Sequence, residues 1–240
     1  MDPVIETVRN DLREQATPEV RESSRRFFKE EISCYGVSTQ IVGKIARKHW
    51  KTIKSRDKLE IFRLCEELYR SGYCEEAFVA ANWVPQLKDQ FKPEDLKLFR
   101  RWIETYITNW ATCDSFCNHT VGDFFTNYPD MTGELRDWAR SGNRWMRRAA
   151  AVSLIVPAKH GMFLEEAIMI ADILLTDTDD MVQKGYGWLL KEASRKHQQD
   201  VFLYVMKNKR QMPRTALRYA IELMPKDLRA EAMKKAGKAP

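Results

Sequence analysis

The stretches RWMRRAA at residues 144–150 and DMVQKGY at residues 180–186 share the pattern that decides the fold. In each, an apolar residue precedes two polar or basic residues and then small residues. A weaker third copy, MPRTALR, occupies residues 212–218. Small residues behind a basic pair let one helix pack closely on the next while the basic groups point outward. Such units stack, so the sequence predicts an all-α, HEAT-like repeat α-solenoid with a concave face.

Most other segments also repeat their apolar residues with a period near 3.6, and strand signals are weak. Pro3, Pro18 and Pro93 stand where a first-turn proline begins a helix, and residues 59–69 are strongly amphipathic before a break at Gly72. The loops are short and no linker is evident. The sequence therefore predicts one HEAT-like helical repeat domain over residues 1–240, with an ordinary irregular helical domain as the alternative.

The composition is that of a folded protein in a reducing compartment. Of the 240 residues, 44% are hydrophobic and 31% are charged, which excludes a disordered chain. No apolar run is long enough to span a membrane, and the first residues lack the features of a secretory signal. Five cysteines form an odd set without framework spacing. A cytoplasmic location is expected.

The net charge of +6 is unevenly distributed. Residues 1–133 hold 20 Lys and Arg against 21 Asp and Glu, whereas residues 134–240 hold 20 against 13. A basic half suggests a polyanionic partner, first of all nucleic acid, and makes the predicted concave face basic. A solvated basic surface without a partner is the alternative.

The stretch NWATCDSFCNH at residues 109–119 allows two interpretations. Cys113, Cys117 and His119 have a spacing that a metal ion could use, but a structural zinc site needs further ligands, and the remaining Cys and His residues are scattered. The chain also lacks the common motifs of nucleotide cofactors and hydrolases. We therefore expect neither a metal nor a cofactor.

The second interpretation pairs Trp110 with Asp114. Residues four apart share one face of a helix, so the indole and the carboxylate would act together. The structural alternative is that Trp110 belongs to the core and Asp114 caps the following helix.

Residues of the basic half favour the functional interpretation. Trp145 and Trp188 recur there with Arg147, Arg148 and Lys184, on helices that an array would place near the middle stretch. In HEAT-like units the first arginine often holds the preceding turn, which leaves the second on the open face. Arg148 is thus the better phosphate contact, and Lys184 takes the corresponding place in the next unit.

The sequence resembles the AlkD-type DNA alkylation repair glycosylases, which are built of HEAT-like helical repeats. The resemblance is carried by WATCD at residues 110–114, WMRRA at residues 145–149 and VQKGYGWLLKE at residues 182–192. FFK at residues 27–29 and YGV at residues 35–37 fit the N-terminal pattern. Each motif alone is weak, but their order and separation over about residues 3–225 are fairly specific.

The resemblance implies hydrolytic removal of cationic N3- or N7-alkylated purines from duplex DNA, by a monomer that does not flip the base into a pocket. Asp114 matches the catalytic carboxylate, Trp110 and Trp188 match the indoles beside the lesion, and Arg148 matches the phosphate-contacting arginine, with Arg147 as its alternative. The further residues that we expect to contact DNA are Tyr35, Lys184 and Arg214.

The chemistry agrees with a single carboxylate. An N3- or N7-alkylated purine already carries positive charge, so it leaves without protonation, and the pair of carboxylates usual in sugar hydrolysis is unnecessary. One carboxylate stabilises the oxocarbenium charge and orients water. Each indole face adds about 1–2 kcal/mol of cation–π attraction if desolvated.

One feature departs from the family pattern, and two other functions remain as alternatives. Asp179 and Asp180 stand where the family can offer aromatic residues, and they either weaken DNA contacts or cap a helix. The alternatives to an alkylpurine glycosylase are a noncatalytic helical scaffold that binds nucleic acid or protein, and a glycosylase for bulkier adducts.

Overall fold

Helices make up the regular structure of residues 2–234, which are the residues that this computed structural model describes. Within that range, the β interaction is an isolated parallel bridge between Ser33 and Tyr73. The predicted all-α fold class is confirmed. The chain divides into two compact units, residues 1–120 and residues 121–240.

Unit 1 contains seven α-helices in its described part. Their bounds are α1 Pro3–Glu14, α2 Pro18–Phe27, α3 Thr39–Ile53, α4 Lys58–Arg70, α5 Cys74–Trp83, α6 Asp95–Tyr106 and α7 Trp110–Phe116. A 3₁₀ segment, Val84–Gln90, follows α5.

Capping residues and first-turn prolines begin the helices of unit 1. Asp2 and Thr17 accept hydrogen bonds from backbone N–H groups behind the predicted prolines Pro3 and Pro18. The third predicted proline, Pro93, lies two residues before α6 rather than in its first turn. Helices α3, α5 and α7 pack in succession, and α4 packs on both α5 and α6.

Unit 2 contains nine α-helices in its described part. Their bounds are α8 Gly122–Asn127, α9 Glu134–Ala139, α10 Arg144–Val152, α11 Ile155–Lys159, α12 Leu164–Ile173, α13 Asp180–Ala193, α14 Gln198–Asn208, α15 Arg214–Ala220 and α16 Lys226–Met233. A π-helical turn, Cys117–Val121, contains the boundary between the units.

The three sequence repeats fall at the starts of α10, α13 and α15, and these three helices pack in succession. Helices α9 and α12 pack on each other and on α10. A small residue just after the second repeat makes this packing close: a Cβ atom on Gly187 would lie 2.7 Å from Tyr219 Cβ and 2.8 Å from the Ala216 carbonyl oxygen. The close approach of α13 and α15 thus depends on a residue without a side chain.

Across residues 2–234, the structure has no helix that is both long enough and apolar enough to cross a lipid bilayer.

Candidate functional site

Helix α7 begins at a side-chain cap and carries Trp110 and Asp114 one turn apart. Asn109 Oδ1 accepts a hydrogen bond of 3.0 Å from the Thr112 N–H, and Asn109 Nδ2 donates one of 3.6 Å to Cys74 Sγ. The cap of this helix is therefore Asn109. The alternative in which Asp114 caps a helix is wrong, because Asp114 lies inside α7.

Asp114 is nearly withdrawn from solvent, with 8% of its surface exposed. The helix changes to a π turn directly after Phe116, and such turns often accompany functional sites. A carboxylate in a poorly solvated environment interacts more strongly with a nearby cation than one in water. Its position therefore suits the stabilisation of positive charge.

Trp110 belongs to an aromatic cluster with Phe27 and Phe28. Phe28 stacks on Trp110 with ring centroids 5.5 Å apart and planes at 25°, and Phe27 meets Trp110 at 5.6 Å and 62°. Phe27 remains 69% exposed. The sequence motifs gave these phenylalanines no role, although an aromatic pair directly after two arginines was a usable signal.

A cavity of about 690 Å³ lies beside this cluster within unit 1. Its walls are mainly aromatic and aliphatic, with a few hydroxyl and charged groups. The lining residues are Val20, Ser23, Ser24, Arg26, Phe27, Phe28, Ile32, Cys34, Val37, Ser38, Thr39, Cys74, Glu75, Phe78, Trp110 and Ala111. Trp110 lines this cavity, and Asp114 does not.

Tyr35, an expected DNA contact, is buried and tied into unit 1. Its hydroxyl donates a hydrogen bond of 2.6 Å to Glu76 Oε1, and its ring stacks on Tyr73 at 4.3 Å. Burial, and then the Glu76 carboxylate, raise the pKa of Tyr35. Glu76 also pairs with Arg9 at 3.0 Å. Tyr35 thus supports the fold of unit 1, and its contact with DNA stays a prediction.

Glu75 organises the turn that follows Cys34. Its carboxylate accepts hydrogen bonds from the N–H groups of Tyr35, Gly36 and Val37 at 3.0, 2.8 and 3.1 Å. The residue is 3% exposed. No motif indicated this buried carboxylate, because a Glu-Glu pair in the first turn of a helix ordinarily faces solvent.

Arg147 holds the turn before α10, as expected for the first arginine of the pair. Its Nε donates to Asp177 Oδ2 at 2.7 Å, and Nη1 donates to the carbonyls of Ser141 and Gly142 at 3.0 and 3.2 Å. This arginine therefore stabilises a loop and is a poor candidate for a phosphate contact.

Arg148 does not lie on an open face, and that expectation is wrong. The residue is 4% exposed, and its Nη1 donates a hydrogen bond to the Met181 carbonyl in the first turn of α13. Gly185 has no side chain, so α13 packs directly over Arg148: a Cβ at Gly185 would lie 3.4 Å from Arg148 Cγ. The role of Arg148 as a phosphate contact stays a prediction.

Aspartates at the start of α13 pair with basic residues of unit 2. Asp179 accepts hydrogen bonds from the N–H groups of Met181 and Val182 and pairs with Arg144 at 2.8 Å. Asp180 pairs with Lys184 at 2.8 Å. Asp179 is therefore a helix cap, which was one of the two expectations for this pair.

The remaining candidates of unit 2 lie on α10, α13 and α15. Trp188 is half-buried, whereas Trp145 is buried with the Arg144 guanidinium 4.7 Å from its ring centroid. Arg214 is the first residue of α15 and is exposed.

Comparison with known proteins identifies the family. A family model described as DNA alkylation repair enzyme matches residues 8–224. The chain belongs to the DNA alkylation repair enzyme family. A solved structure described as a predicted DNA alkylation repair enzyme from Enterococcus faecalis is similar at a TM-score of 0.79 and 17% identity, over 88% of this chain and 98% of that one. At that identity the likeness shows a shared fold. No curated protein matches the chain.

Membership of the DNA alkylation repair enzyme family gives the protein a role in the repair of alkylated DNA. The resemblance seen in the sequence is thereby confirmed at the level of the family. A family of enzymes also favours the catalytic interpretation over the noncatalytic scaffold.

The metal alternative finds no support in the structure of this DNA alkylation repair enzyme. Cys113 and Cys117 are fully buried, whereas His119 is exposed. Residues 2–234 include no group of three or more His, Cys, Asp or Glu side chains arranged to hold a metal ion. Buried cysteines of this kind behave as small apolar core residues.

Proposed function

We propose that this protein is a monofunctional DNA glycosylase that hydrolyses the N-glycosidic bond of purines alkylated at N3 or N7 in duplex DNA. The observation that carries the proposal is the start of α7, where a half-buried indole and a nearly buried carboxylate lie one helical turn apart. The family assignment supplies the context of alkylation repair.

The leaving group explains why one carboxylate is enough. A purine alkylated at N3 or N7 is cationic, so bond breaking returns a neutral base and needs no general acid. The positive charge moves to the sugar as an oxocarbenium ion. Asp114 stabilises that charge and orients the attacking water, which a poorly solvated carboxylate does more strongly than an exposed one.

Trp110 contributes its ring face to the same developing charge. Cation–π attraction to a desolvated indole is worth about 1–2 kcal/mol, or roughly a factor of 5 to 30 in rate. Stacking on Phe28 and the edge contact with Phe27 fix the plane of the indole. A fixed ring loses less conformational entropy on binding than a mobile one.

In unit 2, we assign Trp188 as the second indole and Arg148 as a phosphate contact, following their match to the AlkD-type motifs. Lys184 and Arg214 add positive charge for the DNA backbone, and Arg147 supports its loop. The reaction proceeds without a base-flipping pocket. The proposed partner is double-stranded DNA bound by a monomer, and the proposed location is cytoplasmic.

Replacement of Asp114 by Asn tests the proposal. Asn keeps the size of the side chain and removes its charge, so release of 7-methylguanine and 3-methyladenine from alkylated duplex DNA should be abolished while DNA binding and helical circular dichroism remain. The matched control is Asp89→Asn, at an exposed aspartate of the same unit, which should release base at the wild-type rate. Undiminished release by Asp114→Asn would overturn the catalytic assignment.

A further inference from the structure

Two cysteines of unit 1 line the cavity beside Trp110. Cys34 and Cys74 are 6% and 5% exposed, and neither is in a disulfide. They pack in one cluster with Ile32, against Phe28 and Phe78. The two thiols therefore share one apolar wall that small molecules can reach through the cavity.

The backbone bridge places the two cysteines on neighbouring stretches of chain. Ser33 and Tyr73 form the parallel bridge, and the Cys74 N–H donates to the Ser33 carbonyl at 2.9 Å. Cys34 and Cys74 directly follow the bridged pair on two parallel backbones. Such backbones lie about 4.7–4.9 Å apart, and disulfides join Cα atoms about 4.4–6.8 Å apart.

The sulfur of Cys74 also contacts the helix that carries Trp110 and Asp114. It accepts the hydrogen bond of 3.6 Å from Asn109 Nδ2, and Asn109 is the cap of α7. Cys34 Sγ lies 4.0 Å from the Arg21 carbonyl oxygen, at the limit of a weak hydrogen bond. A change at Cys74 thus reaches the start of α7 directly, through the hydrogen bond from Asn109.

We propose that Cys34 and Cys74 form a modification site that takes a small-molecule disulfide of the glutathione type and closes into an intramolecular disulfide. The thiolate of one cysteine attacks a sulfur of the reagent, which gives a mixed disulfide and expels one small thiolate. The second cysteine attacks the protein-bound sulfur and expels the other. Two protein thiols are oxidised, one reagent disulfide is reduced to two thiols, and the cysteine protons pass to the expelled thiolates.

The surroundings make this reaction slow but selective. Burial, and then the Glu75 carboxylate, raise the pKa of Cys34; burial, Glu75 and the Cys34 thiol raise the pKa of Cys74 to about 12. At neutral pH both sulfurs are thus mostly protonated. Once one mixed disulfide has formed, the neighbouring thiol stands next to it, so ring closure outcompetes reduction by solvent thiols.

Peptide mapping of the 240-residue chain tests the site directly. The folded protein is incubated with oxidised glutathione, the remaining thiols are alkylated, and the disulfide-linked peptides are identified by mass spectrometry. We expect a link between Cys34 and Cys74, while Cys65, Cys113 and Cys117, which are fully buried, stay reduced. A persistent mixed disulfide on one cysteine, a link to another cysteine, or no oxidation of the folded protein would overturn the proposal.

Single serine variants show which cysteines form the link, and their folding is checked separately. Cys34→Ser and Cys74→Ser should each remove the link, and Cys117→Ser should retain it. Circular dichroism and thermal unfolding identify any variant that fails to fold. If Cys74→Ser is unstable, Cys34→Ser alone decides, because it leaves the contact between Cys74 and Asn109 in place.

The effect on base release rests on the proposed function. Forming the disulfide reorients Cys74 Sγ, which accepts the hydrogen bond from Asn109 Nδ2, so we expect oxidation to lower the rate of base release by about tenfold to a hundredfold, and reduction by dithiothreitol to restore it. Cys34→Ser should release base at the same rate before and after oxidation. An oxidised wild-type protein with an unchanged rate would contradict the coupling to α7. If the reduced protein releases no base, the glycosylase proposal fails, and the peptide map still decides the disulfide.

Discussion

At the scale of single residues, burial separates the side chains that support the fold from those that can meet a substrate. Tyr35 and Arg147 matched functional expectations by position, yet both use their polar groups within their own unit. Asp114 is buried inside α7 and does not cap a helix, and its chemical role stays a prediction. Sequence position alone could not make this distinction, because it depends on which hydrogen bonds a side chain finds.

The buried guanidinium of Arg148 supports a prediction with two separate readouts. Arg148→Ala leaves the Met181 carbonyl without this donor and should lower the free energy of unfolding by about 1–3 kcal/mol, measured by urea denaturation. If Arg148 also contacts a phosphate, the slope of log Kd for duplex DNA against log salt should fall by about 1.

Arg218→Ala removes an exposed arginine of unit 2 and serves as the control for that measurement. It should leave the free energy of unfolding nearly unchanged. A salt slope that is the same for Arg148→Ala and the wild type would limit Arg148 to a structural role.

At the scale of helices, small residues account for one correct prediction from the sequence, the placement of helices, and for one wrong prediction, the exposure of an arginine. The repeats placed α10, α13 and α15 correctly, because glycine and alanine behind polar residues are a local signal of close packing. That Gly185 lets α13 cover Arg148 is a property of the packed pair, so the repeats wrongly suggested an open arginine. The Asn109 cap, by contrast, is a local hydrogen bond from the Thr112 N–H to the Asn109 side chain, three residues before it.

The contact between α13 and α15 predicts a large effect of one methyl group. In Gly187→Ala the new Cβ would collide with backbone of α15, so the helices must separate, and we expect a loss of about 1–3 kcal/mol in the free energy of unfolding. Gly133→Ala is the control, because open space surrounds the position that its methyl group would take and its φ of −54° suits alanine. Equal thermal unfolding of the two variants would contradict this packing argument.

The ion pair at the start of α13 predicts that DNA affinity can be increased. Asp180 holds Lys184 at 2.8 Å, and Asp180→Asn would release that ammonium for a phosphate. We expect tighter binding of duplex DNA at low salt and a steeper dependence on salt, by about 0.9 in the slope for one additional phosphate contact. Fluorescence anisotropy titrations at several salt concentrations measure this. Asp180→Asn combined with Lys184→Gln should lose the gain.

At the scale of the whole chain, the net charge differs between the early and the late part of the sequence. Residues 134–240 hold 20 basic against 13 acidic residues, which the sequence alone shows and which suits a DNA-binding role. In unit 1 the charges are balanced and several are engaged in pairs, such as Asp2 with Arg56 and Glu66 with Arg101. Composition could not reveal these pairs, because it carries no distances.

The paired carboxylates of unit 1 predict acid sensitivity. Hydrogen bonding to Arg56 lowers the pKa of Asp2; burial raises the pKa of Asp11, but hydrogen bonds from Lys48 and His49 outweigh it and lower that pKa overall. A carboxyl whose pKa is lower in the folded state contributes stability that is complete above its unfolded pKa of about 4 and is lost as the pH falls through its folded pKa. The free energy of unfolding should therefore decrease below about pH 4, as measured by urea denaturation monitored by circular dichroism.

Asp11→Asn should flatten that decrease, whereas Asp89→Asn, at an exposed aspartate, should leave it as in the wild type. A decrease equally steep in all three proteins would exclude Asp11 as one of its sources.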